Sequence, residues 1–128
     1  MPVVRVGAVV VVVVYVIDIT LPLRTKNPTN NREHWRIVWK RSKVERYTTY
    51  MVVYAKVFLG SLELPTTATL TRLSFGELDD DNLRSAMKAC RDGVADAFDV
   101  ADNDKRLKFE YAQEKCKRGT YGVRIRIA

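Results

Sequence analysis

The sequence predicts a single α+β domain over residues 1–128: a mixed β-sheet with two main helices, in the order β-α-β-α-β-β. Three observations carry that expectation. Ala8–Ile17 is an unbroken apolar run of ten residues containing six consecutive valines, and β-branched residues favour strand over helix. Two later stretches repeat apolar residues every three or four positions, the period of a helix face. Thr66–Phe75 alternates with a period of two, as a half-buried strand does.

The elements follow in order. Val9–Leu21 reads as one long buried strand. The valine run is half the roughly 20 residues a membrane helix needs, and no small-x-small cleavage site of a signal peptide follows it. Pro22 and RTKNPTNN then read as a polar loop, with Asn31 placed to cap a helix. From Arg32 to about Phe58 the pattern is helical, with Trp35, Val38, Trp39, Tyr47, Tyr50, Met51 and Tyr54 on the apolar face. Arg32, Arg36 and Lys40 form a basic row, broadened by Arg41, Lys43 and Arg46. The β-branched run after Tyr50 allows an early end, and Gly60 is a natural stop. In the strand 66–75, Ala68 and Leu70 share one side, with Thr67, Thr69, Thr71 and Leu73 on the other. A second helix runs from Asn82 to about Phe98, with Asp81 as N-cap and an apolar stripe of Leu83, Ala86, Met87, Cys90, Val94 and Ala97. Arg106–Ala112 reads as a strand, 114–122 as a basic turn, and Val123–Ile127 as a short last strand with Arg124 and Arg126 on one face.

Composition narrows the function classes. Twenty-two Lys and Arg against 15 Asp and Glu leave a formal charge of +7, which favours polyanionic partners such as nucleic acid or an anionic membrane. Two cysteines without metal spacing make neither a zinc site nor a disulfide framework, and fit a reducing cytoplasm. Cys90 reads as a buried, inert thiol, whereas Cys116 lies between Lys115 and Lys117, which would lower its pKa if exposed. The chain has no Gly-rich phosphate loop, nucleophile elbow or catalytic triad.

Against this basic background the acids gather between Leu78 and Asp104. Asp79 and Asp81 are two apart, so in an extended segment they point the same way. Carboxylates so placed repel unless a cation sits between them. Magnesium takes one or two carboxylates with water and phosphate, and Asp102 or Asp104 is available as a further ligand. The plainer reading is that acids favour the positive end of a helix. Lys88 is either a phosphate contact that opposes developing negative charge or a solvated lysine. His34 beside Trp35 is either a phosphate or base contact or a packed pair at the helix start. The Arg32–Arg36–Lys40 row is either a set of phosphate contacts or an exposed charged face.

LDDDNLRSAMKACRDGVADAFDVADNDKRLKFEY resembles the signature of RusA-type Holliday junction resolvases, above all their phage and prophage relatives. The upstream TLTRLSFGELDDDN and LPLRTKNPTNNREHW extend the likeness from about Ile19 to Ile127. The resemblance implies a homodimeric endonuclease, dependent on magnesium or manganese, that cuts branched DNA symmetrically in recombination and repair. By position, Asp79, Asp81 and Asp102 match the metal-binding and catalytic acids. Lys88 is the expected catalytic lysine, and Lys26, Asn30, Arg32, His34, Arg36, Lys40 and Arg41 are the expected DNA-binding set. Two departures stand out. Ser85 occupies the position of the family's lysine, one helical turn before Lys88, and Ala101 replaces the first of two adjacent acids. A non-catalytic junction-binding protein on the same fold is the alternative; a membrane-surface protein using the valine run is a third.

Length adds a constraint. An unbroken helix from Asn82 to Phe98 is about 24 Å long, so Asp102 starts far from Asp81. Either Gly93 ends the helix early, or the missing acid comes from a second subunit, in a dimer with the acidic clusters near its interface.

Overall fold

A computed structural model describes residues 3–6, 9–12, 15–26, 34–60 and 62–128, with side chains described from residue 15 onward. The elements are β1 (Val3–Val6), β2 (Val9–Val12), β3 (Ile17–Leu21), α1 (Trp35–Gly60), β4 (Thr66–Ser74), α2 (Asp80–Ala97), β5 (Leu107–Lys115) and β6 (Gly122–Ile127). The fold is α+β with a four-stranded mixed sheet in the order β3-β6-β4-β5. β6 runs antiparallel to both β3 and β4, and β4 and β5 are parallel, joined through α2.

The long N-terminal strand is corrected. Val9–Val12 pairs antiparallel with Val3–Val6 in a separate two-stranded ribbon, and the main sheet takes only Ile17–Leu21. Its start is set by Val16, whose amide donates to the Ile127 carbonyl at 2.8 Å. Six identical residues announce strand propensity but contain no alternation, so neither the register nor the break is written in them.

β4 and β6 behave as their alternation requires. Ala68, Leu70, Val123, Ile125 and Ile127 are fully buried and form the sheet side of the core. The anticipated stripe of α2 covers them: Leu83, Ala86, Met87, Cys90, Val94 and Ala97 are all buried. Burial pushes the Cys90 thiol up to about 12, which makes it the inert thiol expected.

The first helix is turned over relative to its sequence reading. Its buried residues are Glu45, Thr49 and Val53, spaced four apart on one line. Trp35, Trp39, Tyr47, Met51 and Tyr54 are exposed. The cause is Gly93, which does not end α2. A Cβ built there would stand 2.5 Å from the Arg46 carbonyl oxygen and 2.8 Å from Thr49 Cβ. The two helices therefore meet backbone to backbone, and only small side chains fit the seam. The β-branched residues after Tyr50 do not stop α1, which continues to Gly60. The anticipated cap Asn31 lies outside the described residues.

Candidate nucleic-acid interface

The acids opening the 78–104 segment are held at one end of the sheet. Leu78 is clamped to β5 by Gln113, whose side chain donates to the Leu78 carbonyl at 2.6 Å and accepts from the Leu78 amide at 3.0 Å. Asp79 follows and is the N-cap of α2: its Oδ1 accepts from the Asn82 amide at 2.9 Å. Asp81, expected as the cap, lies inside the first turn. Residues two apart on a helix diverge by about 200°, so the extended geometry that would point Asp79 and Asp81 the same way does not exist. Both acids oblige the positive end of the helix.

The closing acids follow α2 in the chain and lead into β5. β4 and β5 are parallel with Thr66 beside Leu107 and Ser74 beside Lys115, so α2 must return along their length. Its 18 residues span about 27 Å. Asp102 belongs to the turn before Leu107, near the start of β5, and its carbonyl is held by Arg91 of α2. Among the described residues no three His, Cys, Asp or Glu side chains gather as a metal-binding group. The expected magnesium set of Asp79, Asp81 and Asp102 is not gathered as one such group. Asp104 does not substitute, because Arg106 holds both its oxygens at 2.8–3.1 Å; those hydrogen bonds draw its carboxyl down to about 2.

What does come together is Lys88 with Asp102. They line one polar cleft of about 410 Å³ with Arg46, Asp92, Asp96 and Ala101. Arg46 grips Asp96 through two hydrogen bonds at 2.7 and 2.9 Å, which raises the Arg46 pKa. Lys88 reaches Asp92 at 3.1 Å. Lys88, Asp92 and Asp96 recur every four residues along α2, a row on one helix face. Asp96 was absent from the sequence reading; the i, i+4, i+8 spacing was the signal for it.

A second cleft, about 250 Å³, continues from the first along the α1–α2 seam and shares Arg46, Lys88 and Asp92 with it. Lys26, Trp39, Arg41, Lys43, Glu45 and Ser85 also line it. Lys26 and Arg41 thereby join Arg46 and Lys88. Of the other expected DNA-binding residues, His34 stacks on Trp35 at 5.7 Å and its Nδ1 accepts from the Arg36 amide, and both rings are exposed. Arg36 lies over the Trp35 ring, Lys40 is exposed on α1, and Asn30 and Arg32 lie outside the described residues. Glu45, unforeseen, is buried in this cleft. Burial lifts its carboxyl to about 7, and Arg41 at 3.9 Å offsets part of that rise.

Arg91 secures the turn carrying Asp102. It donates to the Asp102 carbonyl at 2.8 Å and lies 5.1 Å over the Phe109 ring. Arg91→Ala is expected to cost about 1–2 kcal/mol, as a charged hydrogen bond does. It should also speed amide exchange at residues 101–104. Unchanged exchange there would show that the turn holds itself.

No protein-family model, curated protein or solved structure matches this chain. No helix among the described residues is long and apolar enough to cross a membrane.

Proposed function

We propose that this chain binds the phosphate backbone of branched DNA in the continuous α1–α2 cleft, and acts there as a cytoplasmic structure-selective endonuclease of the RusA type. The observation that carries this reading is the cleft itself. Five cations, Lys26, Arg41, Lys43, Arg46 and Lys88, line one part of it. Lys88 and Asp102, two of the four expected catalytic residues, share the other.

Each group has a distinct task. Arg46 is fixed by Asp96, so it offers phosphate a pre-positioned donor. Lys88 is tied to Asp92 only by an exposed pair, its side chain 71% accessible. Such pairs are worth little, so an arriving phosphate can take the ammonium over. Lys88 then opposes the charge that grows on the phosphoryl oxygens. Asp102 accepts the proton of the water that attacks phosphorus; the P–O bond to the departing sugar oxygen breaks, and that oxygen takes its proton from solvent.

A second reading, a non-catalytic junction-binding protein, is favoured because Asp79, Asp81 and Asp102 are not gathered as one metal-binding group among the described residues. Both readings share the cleft. Binding of a fluorescent four-way junction tests it. Arg41→Ala and Lys43→Ala should each weaken binding and lower the log–log salt slope by about 1, while Lys56→Ala on the far half of α1 should change neither. Identical slopes for all three variants would remove the cleft from consideration. Asp81→Asn sorts the readings further: its role as a first-turn acid predicts only a small stability change, and a loss of cutting with intact binding would give it a catalytic task instead.

A further inference from the structure

Strand β5 forms one outer edge of the four-stranded sheet. The Thr66 amide donates to the Arg106 carbonyl and the Cys116 amide to the Ser74 carbonyl, both at 2.9 Å. Backbone groups turn alternately to the two sides of a strand, so the even-numbered positions of β5 are the ones bonded to β4. The odd-numbered Phe109, Tyr111 and Gln113 turn their N–H and C=O groups to the open side. There they meet no other backbone group among the described residues. Sheet edges are commonly blunted by shortness, by proline or by a bulge. β5 is nine residues long, contains no proline and keeps an uninterrupted register with β4.

Helix α2 walls this edge. Arg84 lies 5.4 Å over the Tyr111 ring and Arg91 5.1 Å over the Phe109 ring. Two adjoining hollows, of about 470 and 200 Å³, share Arg84, Phe109 and Tyr111. Asp80 lines the first and Asp102 the second. Neither guanidinium pairs with a carboxylate among the described residues. Arg84 is exposed. Arg91 donates to the Asp102 carbonyl and the Tyr111 hydroxyl, and its buried Nε has no partner. We infer that the open edge of β5 takes up an extended segment of another protein as a fifth strand, with two acids at alternate positions set against Arg84 and Arg91. The unpaired edge selects the backbone, because only an extended chain offers donors and acceptors at the repeat of a strand. The arginines select the side chains. Phe109 and Tyr111 are two apart, about 7 Å along the strand, and same-face residues of an added strand have that spacing too. Charge-assisted bonds to guanidinium are the strong kind. Asp80 and Asp102 repel acids beyond that pair, so a short acid-x-acid match is preferred to a uniformly acidic segment. This docking does not rest on the nuclease reading.

The probe is a labelled, end-capped octapeptide of threonine and glutamine with two central aspartates at alternate positions. Its binding to the full chain is followed by fluorescence anisotropy and by amide exchange. The amides of Phe109, Tyr111 and Gln113 should slow when the peptide is added, whereas those of Lys108, Glu110 and Ala112, already bonded to β4, should not change. Arg84→Gln should weaken the peptide by about tenfold or more with an unchanged melting temperature and unchanged affinity for a four-way junction. Lys43→Ala should do the reverse. A peptide with lysines in place of the two aspartates should bind about as poorly as the wild-type peptide binds Arg84→Gln. Exchange at the odd-numbered amides that ignores the peptide would overturn the proposal. So would binding lost in Lys43→Ala and kept in Arg84→Gln, which would make the peptide a generic anion in the α1–α2 cleft. Slowing of the odd-numbered amides with rising protein concentration and no peptide would also overturn it, because a second copy would then hold the edge.

Discussion

Gly93→Ala is expected to destabilise the fold by about 2–3 kcal/mol, seen as a lower urea midpoint at unchanged slope. Alanine normally improves a helix interior by roughly 0.5–1 kcal/mol over glycine, so the sign here comes from packing. The new methyl would sit 2.5 Å from the Arg46 carbonyl oxygen and 2.8 Å from Thr49 Cβ. A carbonyl in a helix cannot swing aside as a side-chain tip can. All of α1 must shift, and overpacking of that kind costs about 1–3 kcal/mol. Thr49→Ala should not rescue the variant, because the Arg46 carbonyl remains. The displacement also opens the cleft that Arg46 and Lys88 share. Junction binding should therefore weaken although Gly93 itself lines neither cleft. Equal stability of Gly93→Ala and wild type would refute the backbone contact between the helices.

Glu45→Gln should act in the opposite direction, and only above acid pH. The Glu45 carboxyl is buried and its pKa is lifted from 4.5 to about 7, so the folded chain holds a proton that the unfolded chain releases. Stability attributable to this group is intact below pH 4.5. It falls as pH rises from 4.5 to 7, where the folded state binds more protons than the unfolded state, and is flat above that. At roughly 1.4 kcal/mol per pH unit, the loss is on the order of 3 kcal/mol. Glutamine cannot ionise, so the variant should be about 2–3 kcal/mol more stable than wild type at pH 8 and little different at pH 4. The same ionisation places a negative charge beneath the phosphate path. Junction affinity of the wild type should decline from pH 6 to 8 more steeply than that of Glu45→Gln. Parallel stability curves for the two proteins would show that Glu45 is not held neutral by its burial.

These two residues also show where the sequence was legible. The second helix could be read almost completely, because its core contacts are large apolar side chains at regular spacing over a sheet. Its start was missed by two residues. Any of three consecutive aspartates can cap, and the choice of Asp79 depends on the clamp from Gln113, 35 residues further on. The first helix was assigned correctly but faced the wrong way. Periodicity selects the larger apolar surface, and here close approach at Gly93 admits only small or slender groups, so the bulky face is left outward. Glycine in mid-helix stood as one of two ways to bring the acids together, whereas it marks a contact between helices. Of the two ways the helix-length constraint could be met, an early end at Gly93 is not taken, since α2 runs unbroken from Asp80 to Ala97. The cleft was only half legible. Lys88 and Arg46 were named, but their convergence with Asp96 and Asp102 depends on how two helices cross, which no local pattern encodes.

The most direct measurement is cleavage of a synthetic four-way junction in the presence of magnesium, with binding of each protein measured in parallel. The wild type should make paired, symmetrically placed cuts. Cutting should fall at least a hundredfold in both Lys88→Ala and Asp102→Asn, with junction affinity changed by no more than several-fold. Absence of cutting by the wild type, or cutting by both variants at the wild-type rate, would contradict the nuclease reading.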